Sequence, residues 1–343
     1  MMRLPLSWLL AFTTAALALL LLGSLATGPM TLTLGESLRA LFAGQESGIE
    51  SHKLLIVQEI RLPRTLLCIA VGGILGLCGA VMQGLFRNPL ADPGIIGVSG
   101  GAALGAALAI VLLTPLSQQL QATIGVGLLP LLAFLGGALT TTLVYLLGTR
   151  EGGTSVTVML LAGVAITALS GAVIGLLTYL ADDQMLRNLS LWQMGTLAAG
   201  KPADVALALL TLAALLWLFM RDANPLNALL LGEGEARHLG VNVQSLKRRL
   251  ILLTAAGVGV AVAVSGMIGF VGLVVPHLVR LLAGPNHVRL LPLSALLGAA
   301  LLLAADMLAR TLLAPAELPV GIITALLGAP FFIWLLVKGR RAL

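Results

Sequence analysis

Apolar runs broken by short polar turns repeat along the whole chain, and their lengths match helices that cross a bilayer. No Asp, Glu, Lys or Arg falls between Leu4 and Gly35, between Pro93 and Thr149, between Gly152 and Ala181, or between Leu250 and Val279. A spanning helix needs about 20 consecutive apolar residues, so the longest of these gaps holds two helices and a turn. Bounded by charges and Pro/Gly turns, the runs predict ten helices near 5–27, 64–84, 95–113, 128–148, 156–180, 204–220, 250–267, 271–283, 290–309 and 320–337. Only Ser265-Gly266 and Gly269 divide the seventh from the eighth. The first run follows Arg3 as a secretion signal would, but it is about twice the roughly 7–15 residues of a signal's apolar core, so it is read as a retained helix.

Composition agrees. The 343 residues are 59% apolar and 10% charged, against about 25% charged in soluble domains. The expected architecture is therefore an all-α polytopic membrane protein, a single domain over 1–343 without linkers. The net charge of +6 does not make a nucleic-acid face, because the basic residues sit in short loops where they anchor helices at a lipid surface. Cys68 and Cys78 are ten residues apart on one helix, about 15 Å, too far for a disulfide. Glycines fall in stripes, Gly72, Gly73, Gly76 and Gly79 on one helix and Gly100, Gly101 and Gly105 on the next, a spacing that lets helix backbones approach closely.

With the amino terminus inside, ten spans place 13 of the 20 Lys and Arg residues on the cytoplasmic side and 7 outside, which favours both termini inside. Three exceptions, Arg61, Arg64 and Arg310, lie at outer helix ends, where they break the bias and suggest a function. Asp306 stands four residues before Arg310, a helical spacing that lets the two pair. An acid inside a span could also serve a proton-coupled carrier, but orienting and neutralising Arg310 is the preferred role.

The longest inner loop, about 221–249, is amphipathic and reads as two short helices joined by a glycine. Gly232, Ala236 and Gly240 make a stripe of small residues spaced four apart, read as a surface shaped for a partner's groove, with lipid-surface contact as the competing reading. Gly97-Val98-Ser99-Gly100-Gly101 matches the G-x-S-x-G of serine hydrolases, but no strand is available to form the elbow, and His277 follows Pro276 in a separate apolar segment. Asp182-Asp183 lacks the further acid that a prenyl-transferase-like pair requires, since position 186 is Leu. His52, His238, His277 and His287 show no metal-ligand spacing. No G-x-x-x-x-G-K-[ST] phosphate loop occurs, so any ATPase must be another chain, docking at 221–249.

Arg61-Leu-Pro-Arg64, Gly79-Ala-Val-Met-Gln83 through Asn88-Pro-Leu-Ala-Asp-Pro93, Gly266-Met-Ile-Gly-Phe-Val-Gly-Leu-Val-Val-Pro-His277, and Glu317-Leu-Pro-Val-Gly321 with Gly328-Ala-Pro330 together resemble the FecCD-type permeases. These are the membrane subunits of type II ATP-binding-cassette importers for iron siderophores, heme and cobalamin. The resemblance implies a homodimer of ten-helix subunits in the bacterial inner membrane, with helices 2–5 and 7–10 as inverted repeats. Two ATP-binding subunits lie below and a periplasmic substrate-binding protein above. The permease is then no enzyme and carries no cofactor, ATP being used by the partner subunit. By the same resemblance Gly232, Glu233, Ala236, Arg237, Leu239 and Gly240 lie at the ATPase contact, Thr154 and Ser155 form the inner gate, and helix five lines the pathway. Arg61, Arg64 and Arg310 meet acidic residues of the binding protein. Heme is the favoured substrate, with a ferric siderophore or cobalamin as alternatives within the family. The rival classes are an ion-coupled carrier and an intramembrane hydrolase.

Overall fold

Where the surrounding solvent is lipid, a backbone must satisfy its own hydrogen bonds, and helices do so within one segment. The computed structural model describes residues 5–42, 50–114, 127–150, 153–198 and 200–340. Its chain runs through α1 (Leu6–Ala26), α2 (Leu34–Phe42), α3 (Ser51–Leu85), α4 (Val98–Val111), α5 (Leu128–Gly148) and α6 (Val156–Leu180). It continues through α7 (Asp183–Gln193), α8 (Pro202–Arg221), α9 (Ala223–Leu231), α10 (Glu233–His238), α11 (Val243–Ser265), α12 (Val271–Ala283), α13 (His287–Thr311) and α14 (Val320–Arg340). Seven of these, α1, α3, α5, α6, α8, α11 and α13, are long and apolar enough to cross a membrane. The shorter apolar helices α4, α12 and α14 complete the ten predicted runs.

Two boundaries differ from the sequence expectation, each for a local reason. The second predicted helix begins at Ser51 instead of near 64, because Pro63 does not end it. Pro has no N–H to give to the carbonyl four residues back, and the chain absorbs the defect as a π-helical turn over Ile56–Arg61. The seventh begins at Val243 instead of near 250: Asn242 caps it, its side chain accepting from the Ser245 N–H at 3.0 Å. Gln244 and Lys247 are thereby helical.

The glycine stripes pack as expected. Gly72 and Gly76 of α3 lie directly against the backbone of α13 at Gly298 and Ser294, and Gly79 lies against Gly272 of α12. Gly101 and Gly105 of α4 do the same against Gly136 and Leu132 of α5. A methyl group at any of these positions would meet a backbone oxygen.

The short helices α4 and α12 occupy corresponding places in the two halves, each preceded by a break in the α-helical backbone (before α4 it holds one 3-10 turn, Pro93–Ile96) and a left-handed residue, Gly97 (φ 85°) and Phe270 (φ 68°). The stretch before α4 enters the bundle deeply, since the Thr140 hydroxyl donates to the Gly97 carbonyl at 2.9 Å. Thr140 lies eight residues from the end of α5, about 12 Å at 1.5 Å per residue. Pro93 of the first break packs on Gly272 at the start of α12. Discontinuous helices at matching places in two inverted halves are the signature of a transporter repeat.

Replacing Gly by Ala within a helix normally stabilises by about 0.5–1 kcal/mol. Gly35→Ala, with open space around it, should follow that rule, whereas Gly298→Ala should lower the melting temperature because it forces α3 and α13 apart. Size-exclusion melts in detergent will show the opposite signs.

Candidate functional site

Chemistry-bearing side chains gather at the two ends of the bundle. At one end, Asp306 of α13 is fully buried and receives two guanidinium groups. The Arg64 Nε donates to its carboxylate at 3.0 Å, and the Arg310 Nε lies 3.0 Å from its second oxygen. Arg64 also donates to Glu317 at 2.7 Å. Arg310 reaches α1, donating to the Ser24 hydroxyl at 2.7 Å and the Thr27 carbonyl at 3.1 Å. Arg61 donates to the carbonyls of Leu25 at 2.7 Å and Ala26 at 2.9 Å, and to that of Met30. The last carbonyls of any helix lack intrahelical partners and carry partial negative charge. Two arginines therefore satisfy and neutralise the end of α1.

Arg61, Arg64 and Arg310 are only 3%, 6% and 2% exposed. The sequence expectation set them outward against acidic residues of a docking protein; in the structure their donors are engaged inside the subunit. Arg310 pairs with Asp306 as the i,i+4 spacing predicts, but Asp306 also serves Arg64, 242 residues away in sequence. Glu317, quoted from the sequence only within a family motif, and Ser24, not singled out there, complete the cluster.

The opposite end collects the 221–242 segment, the strand pair Thr149–Arg150 and Gly153–Thr154, and the starts of α11 and α13. Asp222 forms a two-pronged pair with Arg249, and Arg221 lies 5.1 Å over the Trp217 ring. The Asn227 side chain accepts from the His287 N–H at 2.8 Å and donates to Asn286 at 3.0 Å, seating α9 on α13. Gly232, at φ 131°, turns α9 into α10.

The small-residue stripe does not form one outward surface. Ala236 is fully buried and packs into the subunit's own core, and Gly232 is buried beside the Glu235 side chain. What faces outward is Gly234, Glu235, Arg237, His238, Leu239 and Gly240, with Leu239 65% exposed. Glu233 lies between, bonded to Lys247 at 2.6 Å.

Thr154 and Ser155 part ways. Thr154 is buried, and all its polar atoms are engaged: its N–H donates to the Gln244 Oε1 at 3.1 Å, its hydroxyl accepts from the Gln244 Nε2 and meets the Thr149 hydroxyl at 3.0 Å, and its carbonyl accepts from the Lys247 Nζ at 3.0 Å. Ser155 is exposed and caps α6, accepting from the Val158 N–H at 3.4 Å. In the break before α4, the Asp92 carboxylate accepts from the Gly94 N–H at 2.7 Å. Ser99 packs by Gly94, while His277 stands edge-on to Phe331 with centroids 6.1 Å apart.

Gln244 and Lys247 are the site residues that the sequence reading passed over. Their spacing of three, directly after the Asn242 cap, puts them on one face of the first turns of α11 and was the available signal.

Asp306→Asn should leave the buried Arg310 guanidinium without a counter-charge and Arg64 with Glu317 alone, and breaking such a buried pair costs about 3–5 kcal/mol. The expected outcome is a strongly lowered melting temperature in detergent and poor membrane yield. Glu317→Gln, at a half-exposed position, should be tolerated.

The comparisons with known proteins accord with this arrangement. The family model of the FecCD transport family matches residues 16–338. The hemin transport system permease HmuU of Yersinia pestis is 47% identical over 336 residues, covering 97% of this chain and 96% of that one. The vitamin B12 import permease BtuC of Vibrio cholerae is 43% identical over 285 residues, 83% of each chain. A solved structure described as an inward-facing conformation of an ABC transporter, assigned to the metal-chelate type, superposes with a TM-score of 0.82 at 34% identity over 97% of this chain and 99% of that one. The chain belongs to the FecCD transport family.

Proposed function

We propose that the chain is the membrane-spanning permease subunit of an ATP-driven importer that moves hemin inward across a bacterial inner membrane, with both termini on the cytoplasmic side. The observation that carries this reading is the relation to a hemin permease over 97% of the chain. The geometry supports it with a polar, partly exposed docking segment at one end and helix breaks within the bundle. A second copy is the natural cover for α6, which exposes Leu161, Val164, Leu169, Leu176 and Tyr179 along its length. ATP is used by separate subunits that dock on the outward face of α10, through Glu235, Arg237, Leu239 and Gly240, while Gly232 and Ala236 support that face from beneath. Thr154 and Ser155 stand at the inner gate, Thr154 as its anchor. A substrate-binding protein docks at the other end, on the turns around 27–33 and 311–319. Arg61, Arg64 and Arg310 brace these turns and hold an excess of positive charge close below them.

Cobalamin is the second reading, favoured by the 43% identity to a vitamin B12 permease. Proteoliposomes holding this chain, its ATP-binding subunit and its binding protein should accumulate hemin only with ATP. Cobalamin uptake without hemin uptake would turn the assignment to the second reading, and uptake without ATP would point to an ion-coupled carrier.

Docking has its own test. Leu239→Arg, at an exposed position, should leave the permease folded and lower the co-purified ATP-binding subunit by at least tenfold. Full co-purification would remove α10 from the interface.

A further inference from the structure

Lys247 is nearly buried, with 4% of its side chain exposed, and its ammonium group joins two elements distant in sequence. It donates to Glu233 at the start of α10, at 2.6 Å, and to the Thr154 carbonyl at 3.0 Å. One turn earlier on the same face of α11, Gln244 holds the remaining polar atoms of Thr154, its N–H and its hydroxyl. Gln244 also covers Gly153, whose φ of 112° suits glycine and where a Cβ would sit 3.3 Å from the amide oxygen.

A buried ammonium is costly unless its donors are all used, and a lone carboxylate would be enough to neutralise it. The carbonyl of Thr154 therefore adds direction, fixing where the short strand lies relative to α10. Gln244 supplies a two-pronged grip on the same residue. Thr154 in turn leads directly into α6, whose cap is the next residue, Ser155. Movement of α10 thus has a continuous polar route, Glu233 to Lys247 to Thr154, into the start of a spanning helix.

We propose that Gln244 and Lys247 form a latch that carries displacement of the α10 docking segment to Thr154 and the start of α6, so that ATP-driven motion below opens or closes the inner end of the pathway. Both are positioning residues and contact no substrate. The inference rests on the reading of α10 as the ATPase dock.

The test uses the complete complex in proteoliposomes with hemin as the probe, and spin labels on Ser155→Cys or His238→Cys in nanodiscs. Lys247→Met should keep the ATP-binding subunit bound and hydrolysing, while hemin moved per ATP falls at least tenfold. The label at 155 should lose its ATP-dependent distance change across the dimer, while the label at 238 still moves. Lys247→Arg, which can reach both acceptors, should recover most of the coupling. The charge swap Glu233→Lys with Lys247→Glu should not, since a carboxylate cannot donate to the Thr154 carbonyl. Gln244→Leu should uncouple in the same direction.

Wild-type transport per ATP and a wild-type shift at 155 in both Lys247→Met and Gln244→Leu would overturn the latch. Failure of both variants to fold would overturn it too, in favour of a static support. The dock is tested apart: a complex that survives Leu239→Arg would refute that reading, whatever the latch variants do.

Discussion

Asp306 lies where water does not reach, and two guanidinium groups from different helices converge on its carboxylate. In lipid neither charge could exist alone at tolerable cost, so the pairing of α3 with α13 is obligatory. The rest of that end follows. Arg310 continues to α1 and Arg64 to Glu317, while Arg61, one turn before Arg64, closes over the last carbonyls of α1. Most of α1 faces outward along its length, with only Leu9, Ser24 and Leu25 buried. These polar bonds, with the Ser24–Thr65 hydroxyl contact of 2.7 Å, hold its C-terminal end against the bundle.

Between the ends, the fold is made by close approach. Apolar side chains gain little by leaving lipid for a protein interior, so helices in a membrane associate through packing and backbone proximity. Gly72, Gly76 and Gly298 bring α3 and α13 into backbone contact, and Gly101, Gly105 and Gly136 do so for α4 and α5. These tight pairs form a rigid frame around the breaks before α4 and α12, with Pro93 of the first packed on Gly272. Backbone that leaves the α-helical pattern at that depth requires partners, and Thr140 supplies one to Gly97, while Gln83 donates to the Leu273 carbonyl in the first turn of α12 at 3.0 Å. The end that carries α10 and the start of α11 is built differently, from long polar side chains that reach between elements. A frame that is stiff in the middle and hydrogen-bonded at one rim can transmit motion along that rim without repacking its core.

Much of this was legible in the amino-acid sequence, because the bilayer imposes length and polarity on every span. Charge-free gaps located the ten apolar helices, all but two of their starts within a few residues, glycine spacing located the tight interfaces, and the i,i+4 spacing paired Asp306 with Arg310. The two misplaced helix starts arose from local effects weaker than hydropathy: a π turn that accommodates Pro63 and a side-chain cap at Asn242. What only the tertiary structure decided is the direction in which charged and small residues face. Arg61, Arg64 and Arg310 sit at helix ends, where exposure and burial are equally compatible with sequence, and an acceptor 242 positions away settles the matter for Arg64. Ala236 has the spacing of a docking stripe, yet it packs into the subunit's own core. The bond of Lys247 to Thr154 spans 93 positions, and local periodicity carries no information about contacts at that separation. Patterning determines which segments enter the membrane; the pairing of buried polar groups, which depends on atoms brought together only after packing, determines what each end of the bundle can do.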